Sequence, residues 1–289
     1  MDFGRVLTAM ATPFDDHGNI DFPKIDELVD HLIDNGTEGL VVAGTTGESA
    51  TVSFDEKVDV WRRTVQAAKG RIPVLAGSGT NGTQESFELS KRAKDAGVDG
   101  LMLVVPYYNK PNQEGLYLHF KTVAEGVDLP IMVYNVPGRT VVRMTPETVI
   151  KLSDIPNIVA VKEATGDLSA MAQMVEETAD DFYVYTGDDH LTYPAYAIGA
   201  HGVVSVSSHV AGKEMQQMLD FFDNGQTGEA AKLHRKLVPV CKGMFIAPSP
   251  APIKAAIKRK GLDIGGVRLP MVPLTVEEET FVHDLVDRL

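Results

Sequence analysis

A lysine ends an apolar run at the position where a buried amine would be reactive. Residues 158–162 read Ile-Val-Ala-Val-Lys, and a polar turn follows. Because side chains alternate along a strand, we predict that Ile158, Ala160 and Lys162 share one face. Burial among small apolar side chains lowers the pKa of an amine from about 10.4, and a neutral amine can attack a carbonyl to form a Schiff base. The alternative is a surface lysine that extends from the end of an edge strand.

A tyrosine ends the preceding apolar run. Residues 130–134 read Pro-Ile-Met-Val-Tyr, and neighbouring strands lie about 4.8 Å apart. We therefore predict that Tyr134 and Lys162 lie side by side, where the phenol can shuttle the protons that Schiff-base chemistry requires. The alternative is a tyrosine that only closes the end of an apolar core.

Two further features indicate carboxylate binding. The turn Gly44-Thr45-Thr46-Gly47 combines two hydroxyls with backbone N–H groups in a tight loop, which suits a small carboxylate. Arg139 can hold a second carboxylate through a bidentate contact. The alternatives are a plain strand-to-helix turn and a surface ion pair.

Metal chemistry and other nucleophiles are not indicated. The eight histidines show no metal-binding spacing, and no strand is followed by a dinucleotide glycine fingerprint, so we predict neither a metal nor a cofactor. We interpret Asp188-Asp189-His190 as solvated loop residues and Cys241, the single cysteine, as a packed helix thiol.

Composition narrows the function classes. A formal net charge of −13 over 289 residues argues against binding to nucleic acid or to anionic membranes. A single cysteine excludes an intramolecular disulfide and fits a reducing compartment. The sequence contains neither a signal peptide pattern nor an apolar run of membrane-spanning length, so we expect a cytoplasmic protein.

Eight short apolar runs alternate with amphipathic stretches. The runs are 6–10, 39–44, 73–77, 100–105, 130–134, 158–162, 182–186 and 202–206. Capping boxes at Ser53 and Thr275 mark two helix starts, and Gly36, Gly70, Gly97 and Gly126 are predicted to end helices in the left-handed conformation. The alternation predicts an α/β fold, a (β/α)₈ or TIM barrel, with an open doubly wound sheet as the alternative.

After about residue 210 only helical patterns remain. The predicted helices are 213–224, 228–245, 250–260 and 275–289. We predict a barrel domain over residues 1–224 and a C-terminal α-helical appendage over residues 225–289. We assign the appendage no chemistry.

These motifs together resemble one family. The sequence is similar to the pyruvate-dependent class I aldolases, also called the N-acetylneuraminate lyase family, from about Leu7 to the C-terminus. The resemblance rests on the residues 44–48 Gly-Thr-Thr-Gly-Glu, 106–108 Pro-Tyr-Tyr, 134–137 Tyr-Asn-Val-Pro and Lys162 followed by Gly-Asp at 166–167.

The resemblance implies roles for individual residues. Lys162 would form the Schiff base with pyruvate, and Thr45, Tyr134 and Tyr108 would relay protons, with Tyr108 reaching into a neighbouring subunit. Thr46 would bind the pyruvate carboxylate. The family is typically a homotetramer built from dimers.

The same resemblance implies the second substrate. Arg139, within Gly-Arg-Thr, would hold the carboxylate of L-aspartate 4-semialdehyde, as in the branch that serves diaminopimelate and lysine synthesis, and Gly187 and Val204 would line the pocket. The alternatives are an aldolase for sugar-derived 2-keto acids, which would bind a polyol chain through hydroxyls, and a keto-acid sensor without catalysis. Some family members bind inhibitory L-lysine, but Lys57 would repel that cation and predicts weak feedback.

Overall fold

Eight parallel strands close into a barrel in which β1 pairs with both β2 and β8. The structure, a computed structural model, describes residues 1–289. The strands are β1 (Val6–Ala9), β2 (Gly39–Val42), β3 (Val74–Gly77), β4 (Gly100–Val104), β5 (Ile131–Asn135), β6 (Ile158–Glu163), β7 (Tyr183–Thr186) and β8 (Gly202–Ser205). Side chains fill the interior and helices cover the outside, so the strands are buried on both faces. The predicted (β/α)₈ barrel is confirmed.

The four C-terminal helices lie close to their predicted ranges, although the first of them begins five residues earlier than predicted. The helices are α1 (Phe22–Asp34), α2 (Phe54–Ala68), α3 (Thr83–Asp95), α4 (Gln113–Gly126), α5 (Pro137–Thr140), α6 (Pro146–Ser153), α7 (Leu168–Glu177), α8 (Thr192–Ala197), α9 (Ser208–Asp223), α10 (Thr227–Gly243), α11 (Ala251–Arg259) and α12 (Val276–Val286). Both capping boxes are formed. The Ser53 hydroxyl accepts from the Glu56 N–H at 3.3 Å, and the Glu56 carboxylate accepts from the Ser53 N–H at 2.8 Å. Thr275 and Glu278 repeat this arrangement.

One of the four helix-ending glycines has a different role from the one predicted. Gly36, Gly70 and Gly97 adopt positive φ, as expected of residues that terminate helices. Gly126 is the last residue of α4 but does not adopt positive φ. A Cβ atom at Gly126 would lie 2.2 Å from the Phe87 ring, so this glycine is required by the packing of α4 on α3.

The barrel separates two apolar clusters. The inner cluster contains inward-facing residues of every strand, and the outer cluster lies between strands and helices. Ala160 belongs to the inner cluster, but Ile158 belongs to the outer one, so the prediction that both share a face with Lys162 was wrong at Ile158. The cause is a register shift, because Ile131 pairs with Ile158 while Met132 pairs with Ala160.

The C-terminal helices pack directly on the barrel. Residues of α9 and α10 form one apolar cluster with Val6 of β1 and Val203 of β8. The division into residues 1–224 and 225–289 therefore stays a prediction, and the two parts share a core. None of the helices combines the length and apolar character needed to cross a bilayer.

Candidate active site

Lys162 and Tyr134 lie side by side at the end of neighbouring strands. Tyr134 of β5 pairs in register with Lys162 of β6, and the Lys162 Nζ lies 4.3 Å from the centre of the Tyr134 ring. Both side chains face the barrel interior, and each residue is 5% exposed. The predicted contact is confirmed, and the alternative of a lysine extending into water is excluded.

Gly187, which follows β7, leaves the space that Lys162 occupies. A Cβ atom at Gly187 would lie 2.7 Å from the Ala164 Cβ and 3.1 Å from the Lys162 Cε. A side chain at this position would therefore displace the lysine stem.

Burial makes the amine of Lys162 reactive. Loss of water around the ammonium lowers the pKa of Lys162 to about 8, although the carboxylates of Asp189 and Asp188 oppose the shift and Arg139 adds to it. On the order of one tenth of the amine is then neutral at pH 7, compared with less than about one thousandth for an exposed lysine. The barrel interior thus supplies a nucleophilic amine at neutral pH.

Tyr134 remains protonated and is placed to donate. Burial raises its pKa to about 12, although the charge of Arg139 and the nearby Thr45 side chain act in the opposite direction. The phenol therefore lies near the side chain of the threonine turn as well as against the lysine. Thr45, Tyr134 and Lys162 are thus gathered at one edge of the barrel, where hydroxyls close to the amine could pass protons to a bound substrate.

The threonine turn presents unused donors. No backbone carbonyl accepts from the N–H groups of Thr45 or Thr46. The turn is bounded by two non-glycine residues with positive φ, Ala43 at 55° and Glu48 at 56°. Each costs about 1 kcal/mol or more, so the surrounding contacts must hold this conformation. The free N–H groups and hydroxyls suit a carboxylate, as predicted.

The residues after β7 were misjudged from the sequence. Asp189 is 3% exposed rather than solvated, and its carboxylate accepts from the backbone N–H groups of Val206 and Ser207. This fixes the end of β8 against the end of β7. A position at the end of an apolar strand is the signal that singled out Lys162. Asp188 and Asp189 have the same kind of position, so the same signal was available for them.

A cavity of about 560 Å³ opens beside the threonine turn and Tyr134. Its wall includes Thr45, Tyr134 and Arg139. Arg139 lies in the short helix α5 and forms no ion pair within the chain, so its guanidinium is free to hold an anion. The interpretation of Arg139 as one half of a surface ion pair is therefore excluded.

The remaining predicted residues occupy different places. Thr46, Lys162, Gly187 and Val204 do not line the cavity; Thr46 is 4% exposed and Val204 belongs to the inner cluster of the barrel. Tyr108 is also outside it, because this side chain is 89% exposed on a residue with a φ of 73°. Within one chain, Tyr108 does not meet Lys162.

Other candidate groups take no part in the site. Cys241 is buried in α10, and burial raises the pKa of its thiol, in agreement with the predicted packed cysteine. The structure places no group of three histidine, cysteine, aspartate or glutamate side chains where they could hold a metal ion.

The chain is similar to known proteins over its whole length. Residues 2–289 match the family described as the dihydrodipicolinate synthetase family. A relative named 4-hydroxy-tetrahydrodipicolinate synthase from Bacillus subtilis (strain 168) is 56% identical over 290 residues, which cover 100% of both chains.

Solved structures of similar proteins match nearly the whole chain as well. A crystal structure of a dihydrodipicolinate synthase from Bacillus anthracis is 54% identical with a TM-score of 0.98, and the match covers 99% of this chain and 98% of that one. A structure of such an enzyme from Cyanidioschyzon merolae with lysine bound is 43% identical with a TM-score of 0.97, over 99% and 98% of the two chains.

The lowered pKa of Lys162 predicts which amine reacts and how the reaction rate depends on pH. With pyruvate and borohydride, we expect one adduct, on Lys162, formed at a rate that rises as the pH rises to about 8 and then levels, because the neutral amine is the nucleophile. Peptide mapping by mass spectrometry measures this. The exposed Lys110 serves as internal control and should remain unmodified. Adducts spread over surface lysines, or a rate still rising above about pH 10, would contradict the assignment.

Proposed function

The chain belongs to the dihydrodipicolinate synthetase family, whose members are lyases of the class I aldolase type, and on this premise we propose that it catalyses the reaction of its relatives named 4-hydroxy-tetrahydrodipicolinate synthase. The reaction is the aldol condensation of pyruvate with L-aspartate 4-semialdehyde in diaminopimelate and lysine synthesis. The observation that carries the proposal is the buried, partly neutral Lys162 amine beside the Tyr134 phenol.

The first half of the reaction uses Lys162. Its neutral amine attacks the keto carbon of pyruvate, and loss of one water molecule gives the Schiff base. Thr45 and Tyr134 carry the protons for this dehydration, since the Tyr134 ring lies against the lysine amine and the Thr45 side chain lies near the phenol. Thr46 holds the pyruvate carboxylate through its hydroxyl and its free N–H.

The second half forms the carbon–carbon bond. The methyl group of the Schiff base loses a proton to give an enamine, whose carbon attacks the aldehyde of L-aspartate 4-semialdehyde. Arg139 binds the carboxylate of that substrate, because its guanidinium faces the cavity without a partner. The substrate amine then attacks the Schiff-base carbon, closes the ring and releases Lys162. A free arginine suits this short acidic aldehyde better than the polyol chain of a sugar-derived keto acid.

Variants of the two central residues test the proposal. Lys162→Met should abolish turnover and the pyruvate adduct, because Lys162 is the amine that lies over the Tyr134 ring. Tyr134→Phe should lower kcat about 10²–10⁴-fold while the pyruvate adduct still forms slowly, because only proton transfer is lost. Coupled assays of the condensation product measure both. Wild-type protein that forms the adduct but does not turn over aspartate semialdehyde would refute the proposed reaction and leave a keto-acid sensor or another aldolase.

We further propose a homotetramer in which Tyr108 completes the site of a neighbouring subunit. Support comes from the typical oligomerisation of this family and from the exposure of Tyr108 in the single chain. The positive φ of Tyr108 is a strained backbone conformation, and such strain is common at functional residues. It supports a contact of this side chain with a neighbouring subunit.

Mixed oligomers test the shared site. Tyr108→Phe and Lys162→Met are each expected to be nearly inactive. When the two variants are dissociated and reassembled together, one site in each mixed pair has both an intact lysine and an intact tyrosine, so activity should return. Light scattering should give the mass of four chains. No gain of activity over the separate variants would show that Tyr108 acts within its own subunit or not at all.

Feedback by L-lysine is proposed to be weak. Lys57 lines the cavity together with Ser49, Ala50 and Glu85, which match the lysine site of sensitive family members. Lys57 is 3% exposed, lies 5.4 Å from the centre of the Phe54 ring and forms no ion pair, and burial lowers its pKa to about 8. At neutral pH the residue is still mostly charged, so it repels a cationic ligand.

Steady-state assays with added L-lysine test this. Submillimolar lysine should leave the wild-type rate unchanged, and Lys57→Gln should increase sensitivity because it removes the repelling charge. Lys110→Gln, which removes an exposed lysine elsewhere, should behave as wild type. Strong inhibition of the wild type would contradict the role given to Lys57.

A further inference from the structure

A buried ion pair connects the threonine turn to the C-terminal helices. The Lys254 Nζ of α11 lies 3.1 Å from the Glu48 Oε1, and the two side chains are 4% and 3% exposed. The other carboxylate oxygen of Glu48 accepts from the backbone N–H of Arg268 at 2.9 Å. One carboxylate oxygen of Glu48 is thus held by a hydrogen bond and the other by a nearby positive charge, both from residues more than two hundred positions later in the chain.

Glu48 is part of the turn that carries Thr45. The Glu48 N–H donates to the Thr45 carbonyl at 3.1 Å, and Glu48 itself has a φ of 56°. A residue in this conformation returns to ordinary backbone angles unless its surroundings hold it. The Arg268 N–H and the Lys254 ammonium are the two contacts that hold the Glu48 side chain.

The partners of Glu48 are themselves fixed. The Lys254 ammonium also donates to the Gly266 carbonyl and lies 4.4 Å from the centre of the Phe14 ring. The Arg268 guanidinium makes two hydrogen bonds to Glu56, at 2.6 and 3.0 Å, and a third to the Thr51 carbonyl. These contacts brace the segment after α11 against the loop that follows the threonine turn.

Neighbouring residues of the same C-terminal segment line the cavity. Ser249, Pro270 and Met271 form part of the wall that also contains Thr45 and Tyr134. The appendage is therefore a wall of the candidate site as well as a packing partner of the barrel.

We propose that Lys254 is a positioning residue, which acts through its buried ion pair with Glu48 to hold the threonine turn so that Thr45 meets Tyr134. Lys254 does not touch the substrate. Its loss leaves a buried carboxylate without a countercharge, and Glu48 then turns toward water and takes the Thr45 carbonyl with it. This inference rests on the proposed condensation reaction.

The test compares Lys254→Met with a matched core variant of the same helix. Ile257→Ala removes a fully buried apolar side chain of α11 and leaves both charges of the ion pair in place. At a temperature where circular dichroism shows both variants folded, Lys254→Met should lower kcat about tenfold and slow pyruvate-adduct formation to a similar extent. Ile257→Ala should lower the Tm but keep kcat within twofold. The KM for aspartate semialdehyde should not change in Lys254→Met, because Arg139 lies on a different loop.

A second variant keeps the test decisive if Lys254→Met does not fold. The double variant Glu48→Gln with Lys254→Met has no unpaired buried charge, so it should fold, and its kcat should still be reduced about tenfold. Wild-type kcat in either folded variant, or an equal loss in Ile257→Ala, would overturn the role of Lys254. An inactive wild-type protein would instead refute the proposed function.

Discussion

The site depends on one unfavourable placement, a lysine amine enclosed by the barrel. Lowering its pKa from 10.5 to about 8 costs the folded state about 3 kcal/mol at a pH where the unfolded chain carries the charge. This cost applies below about pH 8 and disappears above the usual pKa of lysine. The carboxylates of Asp188 and Asp189 keep it from being larger, because they attract the ammonium form. Reactivity at neutral pH is therefore a balance between desolvation and two nearby negative charges, and the fold sets both.

The closed parallel barrel sets this balance through the positions of a few residues. Register places Tyr134 and Lys162 at the same level of adjacent strands, and Gly187 leaves room for the lysine stem beside them. Asp189 pins the end of β8, so the rim cannot open around the amine. The bulge in β6 matters as well, because Ile158 faces outward while Ala160 and Lys162 face inward. The bulge lies at the start of β6, so it sets which side chains face inward without disturbing the register of Tyr134 with Lys162 at the rim.

The sequence predicted what depends on local pattern and missed what depends on distant contacts. The strands, the two capping boxes and the contact of Tyr134 with Lys162 follow from periodicity and from the common rim of parallel strands. The outward turn of Ile158 arises from pairing with β5, and Gly126 is small because Phe87 packs there, so neither is visible in its own segment. Asp189 was interpreted as solvated because loop carboxylates usually are, whereas its partners are backbone groups after another strand. The family resemblance supplied the roles of Thr46 and Arg139, which spacing alone left open.

The contacts of Glu48 with Lys254 and Arg268 span the greatest separation in sequence, and they connect the barrel to the C-terminal helices. Tyr134 and Lys162 belong to neighbouring strands and need only β5 and β6 to meet. The threonine turn is different, because Glu48 is held by Lys254 and Arg268 and by no charged group of the barrel. A barrel without its last helices would retain the amine and the phenol but leave Glu48 buried and uncompensated or turned into water. The turn that meets Tyr134 through Thr45 therefore reaches its working geometry only when the C-terminal helices have packed, which makes them part of the catalytic unit.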